Sequence, residues 1–451
     1  MQNDIPLYDE VVKGFDQLTQ TIAKSESADL RKTRLHAFEN FRQSGFPSIR
    51  NEDWKYTNLT RFLKDEYALD LPAVAVPTKL IDSGRIADFD CYTIVLVNGV
   101  WNKQLGSDLP KGVEILPIAE AKQDPALTAG FGQDGKDRFF AALNTALFSD
   151  GLFIRAKAGA LPDKPLHIIH AYSAKTNLMV QPRHVWVVEE RAELNVVESI
   201  LAENADVHIG DVHGDVHGDV GDVHIWANSR TEIVLHRDAK LDHAVIQYTP
   251  AGTRLVNHTT VRQKKQSLYN NYTFTLPGAD LVRNDLQAKL EEDHTETHLY
   301  GLYLAAGQQL VDNHTLVDHQ KPQCFSNELY KGVLLEQSTG VFNGKVYVHQ
   351  EAQKTNAFQQ NNNLVIGKKA TIDSKPELEI FADDVKCSHG STVGQFSEEA
   401  LFYLRARGVG VAAARALLIN AFAFDVTEKI KHPAVENHVN RLISLHIPVT
   451  Q

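Results

Sequence analysis

Between positions 8 and 45, apolar residues such as Val12, Phe15, Leu18 and Ile22 recur at intervals of three and four, and no proline interrupts them. That spacing predicts helix, ended by Gly45-Phe46-Pro47. Up to about residue 150 the pattern is mixed, so 1–150 reads as an N-terminal helical and mixed domain. From 151 to 396 short apolar runs rich in β-branched residues alternate with Gly, Asn, Asp and Pro, which predicts a β region. Two of its segments resemble each other, 185–197 and 231–245: each reads strand, short turn, Ala-x-Leu, strand. Ala192 and Ala239 lie 47 residues apart, or 26 once the 21 residues from 204 to 224 are set aside, and Ala352 and Ala370 lie 18 apart. Coils of 18 to 26 residues bury their inner faces only against the next coil, which favours a β-solenoid over an antiparallel sandwich.

At Ser397 the helical period returns, with Glu398 and Glu399 in the first turn and Phe396 able to staple against Leu401. Beyond Gly408 and Gly410, Ala414, Leu418, Phe422, Val426 and Ile430 repeat every four positions, joined by Leu417 and Ala421. They predict a broad apolar face and a C-terminal helical domain over 397–451.

Composition narrows the function classes. With 43% apolar residues in 451, the chain can bury a large core and is globular. Lys and Arg number 46 against 57 Asp and Glu, a net charge of −11 that argues against nucleic acid as a partner. Three cysteines, Cys91, Cys324 and Cys387, make no disulfide framework and suit a reducing compartment. The opening Met-Gln-Asn-Asp-Ile-Pro-Leu-Tyr has neither the basic nor the apolar part of a leader, and no run of 18 apolar residues occurs, so the expectation is a cytoplasmic protein with no membrane span.

Three stretches imitate metal sites. Residues 206–224 repeat Asp-Val-His, bringing His208, His213, His217 and His224 among five Asp; imidazole and carboxylate suit divalent metals, but glycines every few residues favour a surface loop. His294, Glu296 and His298 would share one face of a strand, a polar set that exposed strands often carry. Asp312-Asn-His314 with Asp318-His319 reads as hydrogen bonding that fixes a turn between coils. Neither a phosphate-binding glycine loop nor a Gly-x-Ser-x-Gly elbow is present, against an independent NTPase, dehydrogenase or hydrolase of those classes. The most specific chemistry lies in 381–390: on a strand, Cys387 and His389 project to one face about 7 Å apart, a thiol and an imidazole suited to iron or zinc. Two donors leave a tetrahedral site incomplete, so further ligands would come from elsewhere or from a partner.

The run Pro376-Glu-Leu-Glu-Ile-Phe-Ala-Asp-Asp-Val-Lys-Cys-Ser-His-Gly-Ser-Thr-Val-Gly394, with 401–408, 414–423, Gly340-Val-Phe-Asn-Gly-Lys345 and 352–359, strongly resembles the SufB/SufD family of iron-sulfur cluster assembly proteins. Glu52-Asp-Trp-Lys-Tyr-Thr57 behind Gly45-Phe-Pro47 is similar to the amino-terminal signature of its SufD branch. The resemblance implies a mainly β fold, a right-handed parallel β-helix flanked by N-terminal and C-terminal α-helical domains. It also implies a non-catalytic scaffold that pairs with a SufB-like subunit, or with a second copy in isolation, and binds a SufC-like ATPase. His389 matches the family's interface histidine and Cys387 the cysteine before it, so iron or a transient iron-sulfur cluster is expected at the partner interface, with reduced flavin as a further expectation for the complex. Tyr403, Arg405, Arg407 and Phe422 are expected to bind the ATPase. Ser391 stands where the family has Ala, and the Asp-Val-His tract lengthens a loop that is shorter in the family. Rival readings are a carbohydrate-active β-helix enzyme using Glu291, Glu292, Asp293 and Glu296, and a purely structural interaction protein.

Overall fold

The computed structural model describes residues 5–22, 26–69, 76–122, 138–203 and 223–447. Its centre is a parallel β-solenoid in which the chain alternates between two sheets of ten strands. The first sheet passes from Val100–Trp101 and Tyr92–Val97 through Leu166–Ser173, Glu193–Glu203, Lys240–Gln247, Leu268–Thr275, Glu296–Ala305, Phe325–Leu334 and Asn356–Val365 to Lys386–Gly394. The second ends on Thr371–Ile380, which pairs with Thr339–Val348. Among the described residues all pairs along the stack are parallel, and antiparallel pairing joins only Val100–Trp101 and Val113–Pro117 at its start.

On the first sheet Leu241 lies beside Tyr269, followed by Thr297, Ser326, Ala357 and Cys387, so one coil takes 28 to 31 residues. The expected 18 to 26 is too short for a physical reason. Each coil has two strands and two corners, and Ala352 and Ala370 sit at the two different corners of one coil. The offset of 47 from Leu194 to Leu241 exceeds the next one, 28, by 19, the length of 204–222; Val223 and His224 belong to the coil itself.

One corner recurs with a residue in the left-handed region: Arg191, Asp238, Gln266, His294, Gln323 and Lys354 have φ between 56° and 61°. The next residue in each case, Ala192, Ala239, Ser267, Thr295, Cys324 or Thr355, is buried and small enough to turn inward. Left-handed backbone costs a non-glycine residue about 1–2 kcal/mol, and here successive corners offset it by hydrogen bonds, for instance Gln266 N–H to Asp293 O at 3.2 Å and Asp238 N–H to Lys265 O at 3.0 Å. His294 is thus a corner residue, bonded through Nδ1 to Asp293 at 2.7 Å, while Glu296 and His298 pair with each other on the following strand at 2.6 Å. The expected shared strand face of all three does not form.

The lumen is filled by Ile154, Leu166, Ile168, Trp186, Leu194, Ile233, Leu241 and their neighbours, all buried; each such side chain contributes about 1.5–3 kcal/mol. Both ends of the chain pack outside. The N-terminal segment covers the second sheet, with the Arg283 guanidinium 3.8 Å from the Trp54 ring centre and donating to Asp53 O at 2.8 Å. Asp312 binds Thr57, Arg283 and His314 there, so it clamps the N-terminal segment rather than fixing a turn between coils. The expected helix over 8–45 is two, Pro6–Ile22 and Ala28–Ser44. Ser27 caps the second by accepting from Leu30 N–H at 3.3 Å, and Gly45, at φ 61°, closes it.

Helices Glu398–Arg405, Val411–Thr427 and Pro433–His446 cover part of the first sheet. Ser397 caps the first of these as its sequence predicts, accepting from Ala400 N–H at 3.2 Å. The stripe that packs inward on the second is Ala414, Ile419, Ala423 and Val426, while Leu417 and Ala421 are exposed. An apolar repeat of four drifts about 40° per step on a helix of 3.6 residues per turn, so it cannot stay on one face.

Candidate functional site at the open end of the solenoid

Lys386–Gly394 pairs with Asn356–Val365 on one side and with no strand on the other among the described residues; Thr371–Ile380 ends the second sheet in the same way. The register places Cys387 beside Ala357, His389 beside Gln359 and Ser391 beside Asn361. Ala357, Gln359 and Asn361 are buried and face the lumen, so the three residues above them point to the same side, at its mouth. Cys387 is half-buried against Val346, Val348 and Leu378, whereas His389 is exposed and no hydrogen bond ties its ring among the described residues.

Beneath this rim lies a polar column that sequence reasoning missed. Gln359 Nε2 donates to Glu328 Oε2 at 2.8 Å, one coil further in. The Ser374 hydroxyl crosses from the other sheet to Asn361 Oδ1 and to Ser391 Oγ, both at 2.8 Å. The hydroxyl at Ser391 therefore ties the two sheets at the open end. Burial pushes the Glu328 carboxyl up to about 7, and burial also raises the Cys387 thiol, an effect that a hydrogen bond from the Ala357 backbone offsets in part. A raised thiol pKa keeps Cys387 largely protonated and a poor nucleophile at neutral pH. Among the described residues no group of three or more His, Cys, Asp or Glu is placed to hold a metal ion, so this chain alone offers a rim with an imidazole and a thiol. The sequence signal for the column is alternation of polar residues 30 or 31 positions apart, visible only once the coil length is known.

The mouth is flanked by exposed apolar side chains, Phe381 at 56% and Val393 at 58% accessibility, at an end that no described residue covers. On the C-terminal helices Tyr403 is exposed with the Arg407 guanidinium 3.4 Å from its ring centre, and Arg405 is exposed. Phe422 turns the other way, half-buried toward the solenoid beneath the Lys331 ammonium at 4.4 Å. Leu417, expected on the apolar face, carries the outward apolar surface instead, with Phe402 and Phe424, which the sequence did not single out.

The remaining candidates are dispersed. His208, His213 and His217 lie outside the described residues; His224 pairs with Asp65 at 3.0 Å. Glu291 is held by Arg262 and Lys264, and Asp293 by Lys265. These carboxylates sit in one corner turn and pair with cations of the preceding coil.

Comparison with known proteins agrees along the chain. The family model for the N-terminal region of SufBD proteins matches residues 8–168, and that for the SufBD core domain of SUF system FeS cluster assembly matches 170–422. An iron-sulfur cluster assembly SufBD family protein of Synechocystis is 31% identical over 433 residues, 94% of this chain and 92% of the relative. The iron-sulfur cluster assembly protein SufD of Escherichia coli is 28% identical, covering 90% of each chain, and the chloroplastic protein ABCI7 of Arabidopsis thaliana is 27% identical over 93% of this chain and 87% of its own. With the stacked coils and both flanking regions accounted for, the chain belongs to the SufBD family of SUF-system iron-sulfur cluster assembly proteins.

Proposed function

We propose that this chain is the SufD-like half of a two-solenoid scaffold that meets a SufB-like subunit through its open last coil, and that iron and a nascent cluster are received there as cargo against His389, with Cys387 beside it. The observation that carries the reading is the uncovered coil itself. Among the described residues its strand edge is unpaired, its rim presents an imidazole and a thiol on one face, and its flanks are apolar. Exposed edges of this kind are templates for pairing with another chain. Two donors do not complete a coordination sphere, so the second subunit supplies the rest. The chain turns nothing over itself; a SufC-like ATPase engages the helical end around Tyr403, Arg405 and Arg407.

The test is co-expression with the homologous subunit and the ATPase, anaerobic isolation, and measurement of iron, sulfide and the visible spectrum. His389→Ala should abolish cluster formation and leave the melting temperature of the free chain within about 2 °C, because truncating an exposed side chain opens no cavity. Cys387→Ser should be milder, since its thiol is mostly protonated and the partner contributes thiolates. Normal cluster yield with His389→Ala would remove the assignment.

A further inference from the structure

The lumen-facing column Glu328, Gln359, His389 has a polarity that the exposed histidine alone does not reveal. In-register neighbours in a parallel stack lie about 4.8 Å apart, close enough for side chains one coil apart to bond, as Gln359 does to Glu328 at 2.8 Å and Asn284 to Asn313 at 3.0 Å. Since the Gln359 amide gives its N–H to the carboxylate, its carbonyl oxygen is left over, and that Oε1 is buried without a hydrogen-bond partner. The next residue up the column is His389, whose ring is exposed and makes no hydrogen bond among the described residues. The amide also sits where only a residue without a side chain leaves room: a Cβ at Gly344 would lie 2.5 Å from Gln359 Nε2.

We propose that Gln359, oriented by Glu328 and accommodated by Gly344, is the positioning residue for His389: when the exposed ring turns onto it, its free carbonyl accepts one ring N–H and fixes the tautomer, which leaves the other ring nitrogen as a donor aimed out of the lumen mouth. Ligating histidines are commonly held this way, by an acceptor on the nitrogen that does not ligate, and loss of the acceptor typically costs about 10- to 100-fold in metal affinity or activity. The inference rests on the reading that His389 receives iron, but the tautomer itself is a property of this chain alone.

The experiment uses the full chain labelled with 15N-histidine, at about pH 8, with the His389 signals assigned through His389→Gln. The ring-nitrogen shifts should show one tautomer favoured about fivefold over its proportion in a free imidazole, the bias given by a hydrogen bond worth about 1 kcal/mol. Gln359→Met, close in volume and without an acceptor, should return the free proportion. Gly344→Ala, which displaces the amide without removing it, should do the same and serves if the Met variant fails to fold. The exchange of roles in the double variant Glu328→Gln with Gln359→Glu should restore the bias, because the amide at 328 then donates to the carboxylate at 359, whose second oxygen still accepts toward the ring. An unchanged tautomer ratio in Gln359→Met or Gly344→Ala, or no restoration by the double variant, overturns the proposal. Normal cluster yield with His389→Ala would overturn the functional reading and leave this result standing, so the two failures are distinct.

Discussion

Glu328 is a carboxyl group held where water does not reach, with Gln359 as a neutral partner, and its behaviour with pH follows from that placement. Burial raises it from 4.5 to about 7. An acid whose folded value exceeds its unfolded value binds a proton on folding across the interval between them, so its contribution to stability is favourable below about 4.5, falls as pH rises toward 7, and stays low above. The shift corresponds to something on the order of 3 kcal/mol at 1.36 kcal/mol per unit. Glu328→Gln, which keeps the hydrogen bond and cannot ionise, should therefore be more stable than the parent at pH 8.5 by about 1–3 kcal/mol in urea unfolding and nearly equal to it at pH 4.5. Parallel stability profiles for the two proteins would show that Glu328 does not titrate in the fold. In the sequence, Cys387 and His389 were legible as a pair because strand alternation acts over two residues. Glu328 and Gln359 were not, because the strand register that puts them in one column with His389 spans 30 and 31 positions.

At the scale of elements, the caps were readable and the breaks were not. Ser397 announces its helix through its own oxygen and the two glutamates after it, a signal contained in three residues. The split at Ser27 has the same chemistry but is hidden inside a continuous apolar period, which outweighs one serine when only spacing is counted. The strands carry a further constraint in their glycines. Gly301 faces the lumen under Tyr330, where a Cβ would fall 2.2 Å from the ring, and that ring is 2% exposed with Phe342 at 5.3 Å on its far side. It has no room to retreat. Gly301→Ala should cost about 1–3 kcal/mol, the usual penalty of overpacking, and lower the urea midpoint accordingly. Gly390→Ala, with no atom within 4 Å of the added carbon, is the control and should leave the midpoint where it is. Equal losses at both positions would mean that general strand propensity, not the Tyr330 contact, sets the cost.

Across the whole molecule, the stacking of coils was legible from the Ala192 and Ala239 segments because each occupies the same corner of its coil, directly after a residue in the left-handed region. Coil length is not legible in the same way, because opposite corners look alike in one dimension. The consequence of stacking is an asymmetry between ends. At the start, the antiparallel strands Val100–Trp101 and Val113–Pro117 close the sheets; at the finish nothing described does, and Val393, Phe381 and Ile380 remain 58%, 56% and 38% exposed. A parallel stack can continue only by accepting another backbone on that edge, and burying those three side chains would supply the apolar part of the proposed association. Val393→Asp places a charge on the rim where the proposed second subunit would exclude water, without touching the core of the free chain. It should weaken association with the homologous subunit by about tenfold or more, equivalent to about 1.4 kcal/mol, as read by sedimentation equilibrium over a range of concentrations. The melting temperature of the isolated chain should stay within about 2 °C, since surface changes of this kind lie within about 0.5 kcal/mol. Asp in place of Leu161, another exposed apolar residue, at 67%, and outside the last coil, should leave the association as it is. If Val393→Asp associates as tightly as the parent, the open coil is not where the subunits meet.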